Sequence, residues 1–270
     1  MSSLDWRPGG EPDGLAPGLG ARWVPEMGRF EQKVVIVTGS SSGIGEAAAR
    51  AFDAEGASVV VNSATSVEAG EQVAASLRDA AYVRADVSDA DSAAELIAAA
   101  LQRFGRIDVL VNNAGVTKVI PHHDLDAVDD ETFRRIFEVN VLAPFRLTRL
   151  AMPHLRAQGD GSVVNVTSVA GLRPTGSSVP YAASKAALNH LTALLGNVTG
   201  PEVRVNAVAP GLIRTPWTKD WGPLHDAMQA RAPLRRSGEP EEVARTIVDV
   251  AANPYLTGQV IVVDGGLTLR

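Results

Sequence analysis

The chain has 270 residues, of which 45% are apolar and 21% charged, with a net charge of −6 and no cysteine. A disulfide scaffold, a thiolate metal site and a cysteine nucleophile are thereby excluded, and the acidic balance argues against a nucleic-acid partner, which needs a basic surface. No run approaches the roughly 18 apolar residues that cross a bilayer. The N-terminus lacks the basic start and apolar core of a secretory signal, so the expectation is a cytoplasmic protein with no membrane partner.

Residues 1–29 hold six Gly and four Pro without a period. They read as a flexible extension, in which Trp6 and Trp23 are candidates to dock on the body or on a neighbouring subunit. Residues 30–270 read as a single domain. Val34–Val37 is a short β-branched run without alternation, the pattern of a strand buried on both faces. A Gly-rich turn follows, then an amphipathic helix from Glu46 to Glu55 closed by Gly56. The cycle repeats with strand Ser58–Asn62, helix Val67–Arg78, strand Tyr82–Ala85, helix Asp91–Phe104 and strand Val109–Asn112. A long helix from Asp130 to Arg156 comes next. Strand Val163–Ser168, helix Tyr181–Leu195, strand Arg204–Ala209, helix Glu241–Ala252 and strand Gln259–Val263 complete the chain. Such alternation predicts an α/β fold: a doubly wound parallel sheet of the Rossmann type, about seven strands with helices on both faces.

The turn after the first strand is Thr38-Gly39-Ser40-Ser41-Ser42-Gly43-Ile44-Gly45. Glycines let a phosphate approach the backbone, and the helix start beyond offers free N–H groups and partial positive charge. Gly39, Ser41, Ser42, Gly43, Ile44 and Gly45 are therefore candidate dinucleotide contacts. An acid usually follows the glycines by about 20 residues to hold a ribose hydroxyl. Here the second strand ends Asn62-Ser63-Ala64-Thr65-Ser66, with no carboxylate. That permits NADP; Ser63, Thr65 and Ser66 could donate to its phosphate. The reading leans to NADP and leaves NAD open.

Tyr181 and Lys185 stand four apart on a helical pattern and share a face. A fixed ammonium beside a phenol favours phenolate, so the phenol can act as acid toward a carbonyl or base toward an alcohol. Ser168, at a strand's carboxyl end, is placed to hold a substrate oxygen; no Gly-x-Ser-x-Gly elbow supports a nucleophile there. His122-His123-Asp124 has no further ligand cluster in view, so no metal is expected.

These motifs in their order, with Asp86-Val87, Asn112-Asn113-Ala114-Gly115, Asn140 and Pro210-Gly211 followed by Thr215, resemble the short-chain dehydrogenase/reductase family over residues 31–269. The resemblance implies that Asp86 bonds the adenine and Val87 packs on it; a helix cap is the competing role for Asp86. It implies cofactor contact at Asn113, Ala114, Gly115, Pro210, Gly211, Ile213 and Thr215, and at Tyr181 and Lys185. Asn112 reads equally well as a structural brace. Asn140 would hold a water that relays protons from Lys185, against a plain packing role. Arginines that the family often uses for the NADP phosphate are missing, Ser42 and Ala64 standing in two such positions.

The segment at about 212–235, with Trp217 and Trp221, resembles a substrate lid. Leu172, Val179 and Val116 would add apolar wall, while Arg173 and Lys118 could meet an anionic group. The implied activity is reduction of a ketone, or oxidation of a secondary alcohol, in the manner of a 3-oxoacyl-carrier-protein reductase. The alternatives are an NAD-dependent alcohol or sugar dehydrogenase, or a non-catalytic dinucleotide sensor. The resemblance also implies a homotetramer or homodimer, built on the long helices and the last strand.

Overall fold

The computed structural model describes residues 28–269. The expectations for Trp6, Trp23 and nearly all of the N-terminal extension fall on residues outside this range. Seven strands form one parallel sheet in the order β3-β2-β1-β4-β5-β6-β7. They are β1 (Val34–Val37), β2 (Ser58–Ser63), β3 (Ala80–Arg84), β4 (Val109–Asn112), β5 (Gly161–Val166), β6 (Val203–Pro210) and β7 (Val260–Val263). The chain reverses its direction of travel between β1 and β4, and ligands of doubly wound sheets sit at such a switch point.

The aliphatic strands are uniform because both faces are covered. Successive residues point to opposite sides. Val35, Val37, Val59 and Val61 pack with α1 (Gly43–Ala54) and α8 (Pro240–Ala252). Val34, Ile36, Val60 and Leu110 pack with α3 (Ala90–Phe104) and α5 (Ala143–Ala157). α2 (Val67–Ala75) lies beside β2 and β3. Ahead of β1, Arg29 donates to Glu55, the C-cap of α1, at 2.7 Å and to Asp249 of α8 at 2.9 Å. Phe30 meets Phe52 edge-on, with centroids 4.9 Å apart.

One expected helix is broken. The periodicity predicts a continuous helix from Asp130 to Arg156, but α4 (Asp130–Phe137) passes through a π turn at Glu138–Leu142 before α5 begins. Pro144 has no N–H, so it cannot serve as the α-helical donor to the Asn140 carbonyl four residues back. A π turn absorbs that defect, and such turns recur at functional sites. α6 (Val179–Val198) carries Tyr181 and Lys185, and its N-terminus is capped by Ser178. The lid segment holds an element not read from the sequence, α7 (Gly222–Arg231), which follows a 3-10 turn at Pro216–Thr218.

Candidate active site

The carboxyl ends of the strands open onto a cleft of about 820 Å³. Every expected cofactor and catalytic residue lines it except Asn140. The glycine turn forms its floor. Ser40 donates to the Val37 carbonyl at 2.7 Å and accepts from the Asn62 backbone at 3.0 Å, tying the turn to β2. Asn113 donates to the carbonyls of Thr38 and Gly39 at 2.9 and 3.1 Å. A Cβ on Gly45 would run into the Gly39 carbonyl and the Asn113 amide, so only glycine lets α1 start this close to the turn. Ser42 occupies the N-cap of α1 without capping it through its side chain. The first amides of the helix are thus left for another acceptor, as an anion site requires.

Asp86 does not cap α3. That work falls to Asp89, which accepts from Ser92 N at 2.8 Å. Asp86 instead accepts from the backbone and hydroxyl of Ser88 at 3.0 and 2.6 Å and faces Arg135 at 3.4 Å. Burial raises its pKa, but the Ser88 bonds and Arg135 outweigh that and hold the carboxyl below its usual value. Asn112 is a brace: its amide reaches Asn165 at 2.9 Å and Thr148 at 3.3 Å beneath the sheet edge.

At the end of β2, Ser63 lines the cleft but is 6% exposed, and its hydroxyl donates to the Ser66 carbonyl at 3.0 Å and shares a hydrogen bond of 2.8 Å with Tyr82. Arg84, on β3, reaches across to donate to the Ala64 carbonyl at 3.3 Å. Strand pairing brings it there: Ser63 and Arg84 are register partners. The exposed hydroxyl residues Thr65 and Ser66 directly follow Ala64.

The catalytic wall comes from β5, α6 and the π turn. β5 ends at Val166, so Ser168 lies two residues beyond the strand, where it caps the short turn Val169–Gly171. Gly171 allows that turn to press on α6: a Cβ there would lie 2.6 Å from the Lys185 backbone carbon. Lys185 donates to the Val166 carbonyl at 2.9 Å and stands over the Tyr181 ring, 5.7 Å from its centroid. Trp217 of the lid meets the same ring edge-on at 6.3 Å.

In the electrostatics here burial outweighs neighbouring charge. Burial pushes the Tyr181 phenol above its ordinary value, with the Ser168 hydroxyl pulling it back. Burial also pulls Lys185 down to about 8. That value still lies above neutral pH, so its charge remains available to the phenol as a proton moves.

Asn140 is committed elsewhere. Its amide donates to the Val116 carbonyl and to Ser184, both at 3.0 Å, and its oxygen accepts from Val116 N at 2.9 Å. Of the expected substrate contacts, Val116, Trp217 and Trp221 line the cleft, while Leu172, Val179, Arg173 and Lys118 do not. Arg173 is turned to the Thr268 carbonyl, and Lys118 to Thr132 and Asp129. Contacts missed by the sequence are Ile120 and His122 from the loop after β4, and Leu224 and Met228 from α7. No periodicity marked them. Among the described residues no three metal-ligating side chains gather, and no helix is long and apolar enough to cross a membrane.

A family model described as enoyl-(acyl carrier protein) reductase matches residues 39–268. A protein of Streptomyces violaceoruber assigned as ketoacyl reductase 2 of the granaticin polyketide synthase is 53% identical over 242 residues, 88% of this chain and 97% of that one. The chain belongs to the short-chain dehydrogenase/reductase family. A 3-oxoacyl-[acyl-carrier-protein] reductase of Thermotoga maritima is 39% identical, over 89% of this chain and 100% of the other. A crystal structure of a short-chain dehydrogenase/reductase from Brucella melitensis superposes with a TM-score of 0.83 at 35% identity, covering 88% and 98% of the two chains. As a member of this family the protein is an NAD(P)-dependent oxidoreductase working on a ketone or the corresponding alcohol.

Proposed function

We propose that the protein reduces a 3-oxoacyl-type ketone with NADPH, with Tyr181 as the proton donor. The observation that carries this reading is the meeting of Tyr181, Lys185 and Ser168 on the same cleft as the uncapped start of α1. The glycine turn fits a pyrophosphate: the Gly45 approach and the unclaimed helix amides suit close contact with an anion. Gly39 to Gly45 would hold the phosphates, Asp86 and Val87 the adenine, and the Pro210 to Thr215 segment the nicotinamide end. The dinucleotide supplies the hydride.

Ser168 and Tyr181 hold the carbonyl oxygen, and Tyr181 delivers its proton there as negative charge develops. The raised phenol pKa suits the donor role, since it keeps the proton in place until the oxygen becomes basic. The adjacent Lys185 charge then stabilises the phenolate. With both side-chain donors of Asn140 spent, a water that brings a replacement proton to Lys185 would be held by the Asn140 carbonyl, which Pro144 deprives of its α-helical donor. Arg84, Thr65 and Ser66 favour a 2′-phosphate, and no carboxylate opposes it. The homodimer or homotetramer implied by the resemblance would cover the exposed Phe133, Phe145, Leu194 and Val198 of α4, α5 and α6.

Loss of the reduced-nicotinamide absorbance, followed over a panel of ketones, 3-oxo esters and quinones, tests the activity. Reduction of 3-oxo esters with a higher kcat/KM for NADPH than for NADH is the expected result. Turnover confined to simple alcohols with NAD would overturn it.

A further inference from the structure

Arg135 of α4 lines the cleft beside Asp86 and Val87, and the hydride transfer described above makes no use of it. The side chains of Arg135 and Asp86 are 52% and 43% exposed, so a ligand in the cleft can reach both. Their bonds form a chain. Arg135 Nη1 donates to the Ser88 hydroxyl at 2.6 Å, and that hydroxyl donates in turn to Asp86 Oδ1 at 2.6 Å. A hydroxyl has one hydrogen to give, so accepting from Arg135 commits that hydrogen to Asp86. Ser88 N donates to the same carboxylate oxygen at 3.0 Å. Asp86 Oδ2 meets Arg135 Nη2 only loosely, at 3.4 Å. It remains an acceptor with a lone pair open to a further donor.

Other groups hold the backbone of this turn. Arg146 of α5 donates to the Val87 and Ser88 carbonyls at 3.3 and 2.9 Å and is itself paired with Glu138 at 2.9 Å. Asp89 caps α3. Removing Arg135 therefore leaves the main chain braced and releases only the Ser88 and Asp86 side chains. Its charge matters as well. Arg135 is among the groups that hold the Asp86 carboxyl below its ordinary value, so that the group stays ionised and has no proton to donate.

We infer that Arg135 is a positioning residue for adenine recognition: through Ser88 it fixes the Asp86 carboxylate as an acceptor, and so makes the cleft select a purine with a 6-amino group over one with a 6-oxo group. The amino group of adenine donates to Oδ2. The oxo group of hypoxanthine would set an acceptor against an acceptor. Sites built to hydrogen-bond a ligand group discriminate against analogues that lack it, and solvent at this half-exposed carboxylate tempers the effect. This inference rests on the placement of the adenine at Asp86 given above, and adds the residue that tunes it. It does not depend on which ketone is reduced.

The test titrates the tighter-binding reduced dinucleotide, NADPH or NADH, against its deamino analogue, in which hypoxanthine replaces adenine. Fluorescence of the reduced nicotinamide reports binding. The proteins are wild type, Arg135→Leu, Arg135→Lys, Ser88→Ala and the double variant of Arg135→Leu with Ser88→Ala. Wild type should prefer the adenine form by about tenfold. Arg135→Leu should cut that preference by about threefold or more, and in steady-state reduction the loss should fall on KM for the dinucleotide more than on kcat. Arg135→Lys, which keeps a cation, should recover part of it. Because Arg135 acts through Ser88, the double variant should lose less than the two single losses multiplied together. A wild type without preference, a preference untouched in Arg135→Leu, or single losses that multiply in full overturns the inference. Equal weakening of both dinucleotides in Arg135→Leu, the mark of plain charge attraction, overturns it too. A wild type that binds neither dinucleotide sinks the dinucleotide placement along with it. An adenine preference that depends on Arg135, in a protein that reduces no ketone, upholds the inference and sinks the ketone-reductase reading.

Discussion

The two ends of the cleft are built differently. At the glycine turn, the backbone is nailed to neighbouring strands by Ser40, Asn62 and Asn113. At the lid, α7 offers the interior little beyond Met228, and its attachment is a polar clip: His225 bonds Ser237 at 2.7 Å and the Thr218 carbonyl at 3.1 Å. The glycine end is held by these bonds, as the preset amides of the proposed phosphate site require. The lid end is loosely held because substrate must enter and product leave. Substitutions at the two ends should therefore fail in different ways, and the catalytic wall lies between them.

The sharpest case is Tyr181→Phe. It removes the proposed proton donor and leaves the packing against Trp217, so turnover should fall by roughly 10²- to 10⁴-fold. Dinucleotide affinity, read by fluorescence titration, should barely move. Gly45→Ala attacks the rigid end. The new methyl would force the Gly39 carbonyl and Asn113 apart from α1, at a cost of about 1–3 kcal/mol. Dinucleotide affinity should drop by ten times or more, with a lower Tm; unchanged affinity would show that the turn yields as easily as the lid.

Lys185 gives a pH-dependent test of the wall itself. Burial lowers its pKa from 10.5 to about 8, so folding disfavours its charge. Below pH 8 both folded and unfolded chains carry the proton and the penalty is complete, on the order of 3 kcal/mol. Between pH 8 and 10.5 the unfolded chain binds more protons, and the penalty is relieved as pH rises. In thermal melts, wild type should thus gain on Lys185→Met across that window. A constant difference would mean that the ammonium is well solvated.

His225→Phe tests the loose end. Removing the clip should raise KM for the ketone a few-fold and leave dinucleotide affinity alone; an equal effect on both would erase the contrast between the ends. The smallest effect concerns the base of the lid. Arg236 grips Glu242 at 2.6 and 2.7 Å, and these bonds, with that from Glu239 N, hold the carboxyl at about 2. A lowered carboxylate pKa stabilises the fold above the ordinary value near 4.5 and loses that benefit as pH falls toward 2. The pair is exposed, so Glu242→Gln should cost about 1–3 °C in Tm at neutral pH, and nothing near pH 2.

The contrast between the ends also explains what could be read in advance. The strands announced themselves as unbroken β-branched runs, and the glycine turn by its place between a strand and a helix. Tyr181 and Lys185 were legible because four-residue spacing on a helix is a geometric statement. Local sequence did not reveal α7, whose apolar residues follow no face, nor the π turn, where the apolar period continues past Pro144.

What the sequence by itself determined is the alternation of buried strands and helices, and with it a cleft at one edge of a parallel sheet, because periodicity and turn chemistry are local. Only the tertiary structure decided which side chains share that cleft. Ile120, Leu224 and Met228 join it from the loop after β4 and from the lid, while Arg84, carried to the β2 end by strand register, stays off its wall. The tuning of Tyr181 and Lys185 was likewise decided by enclosure, since desolvation depends on everything that surrounds a group and not on its neighbours in the chain.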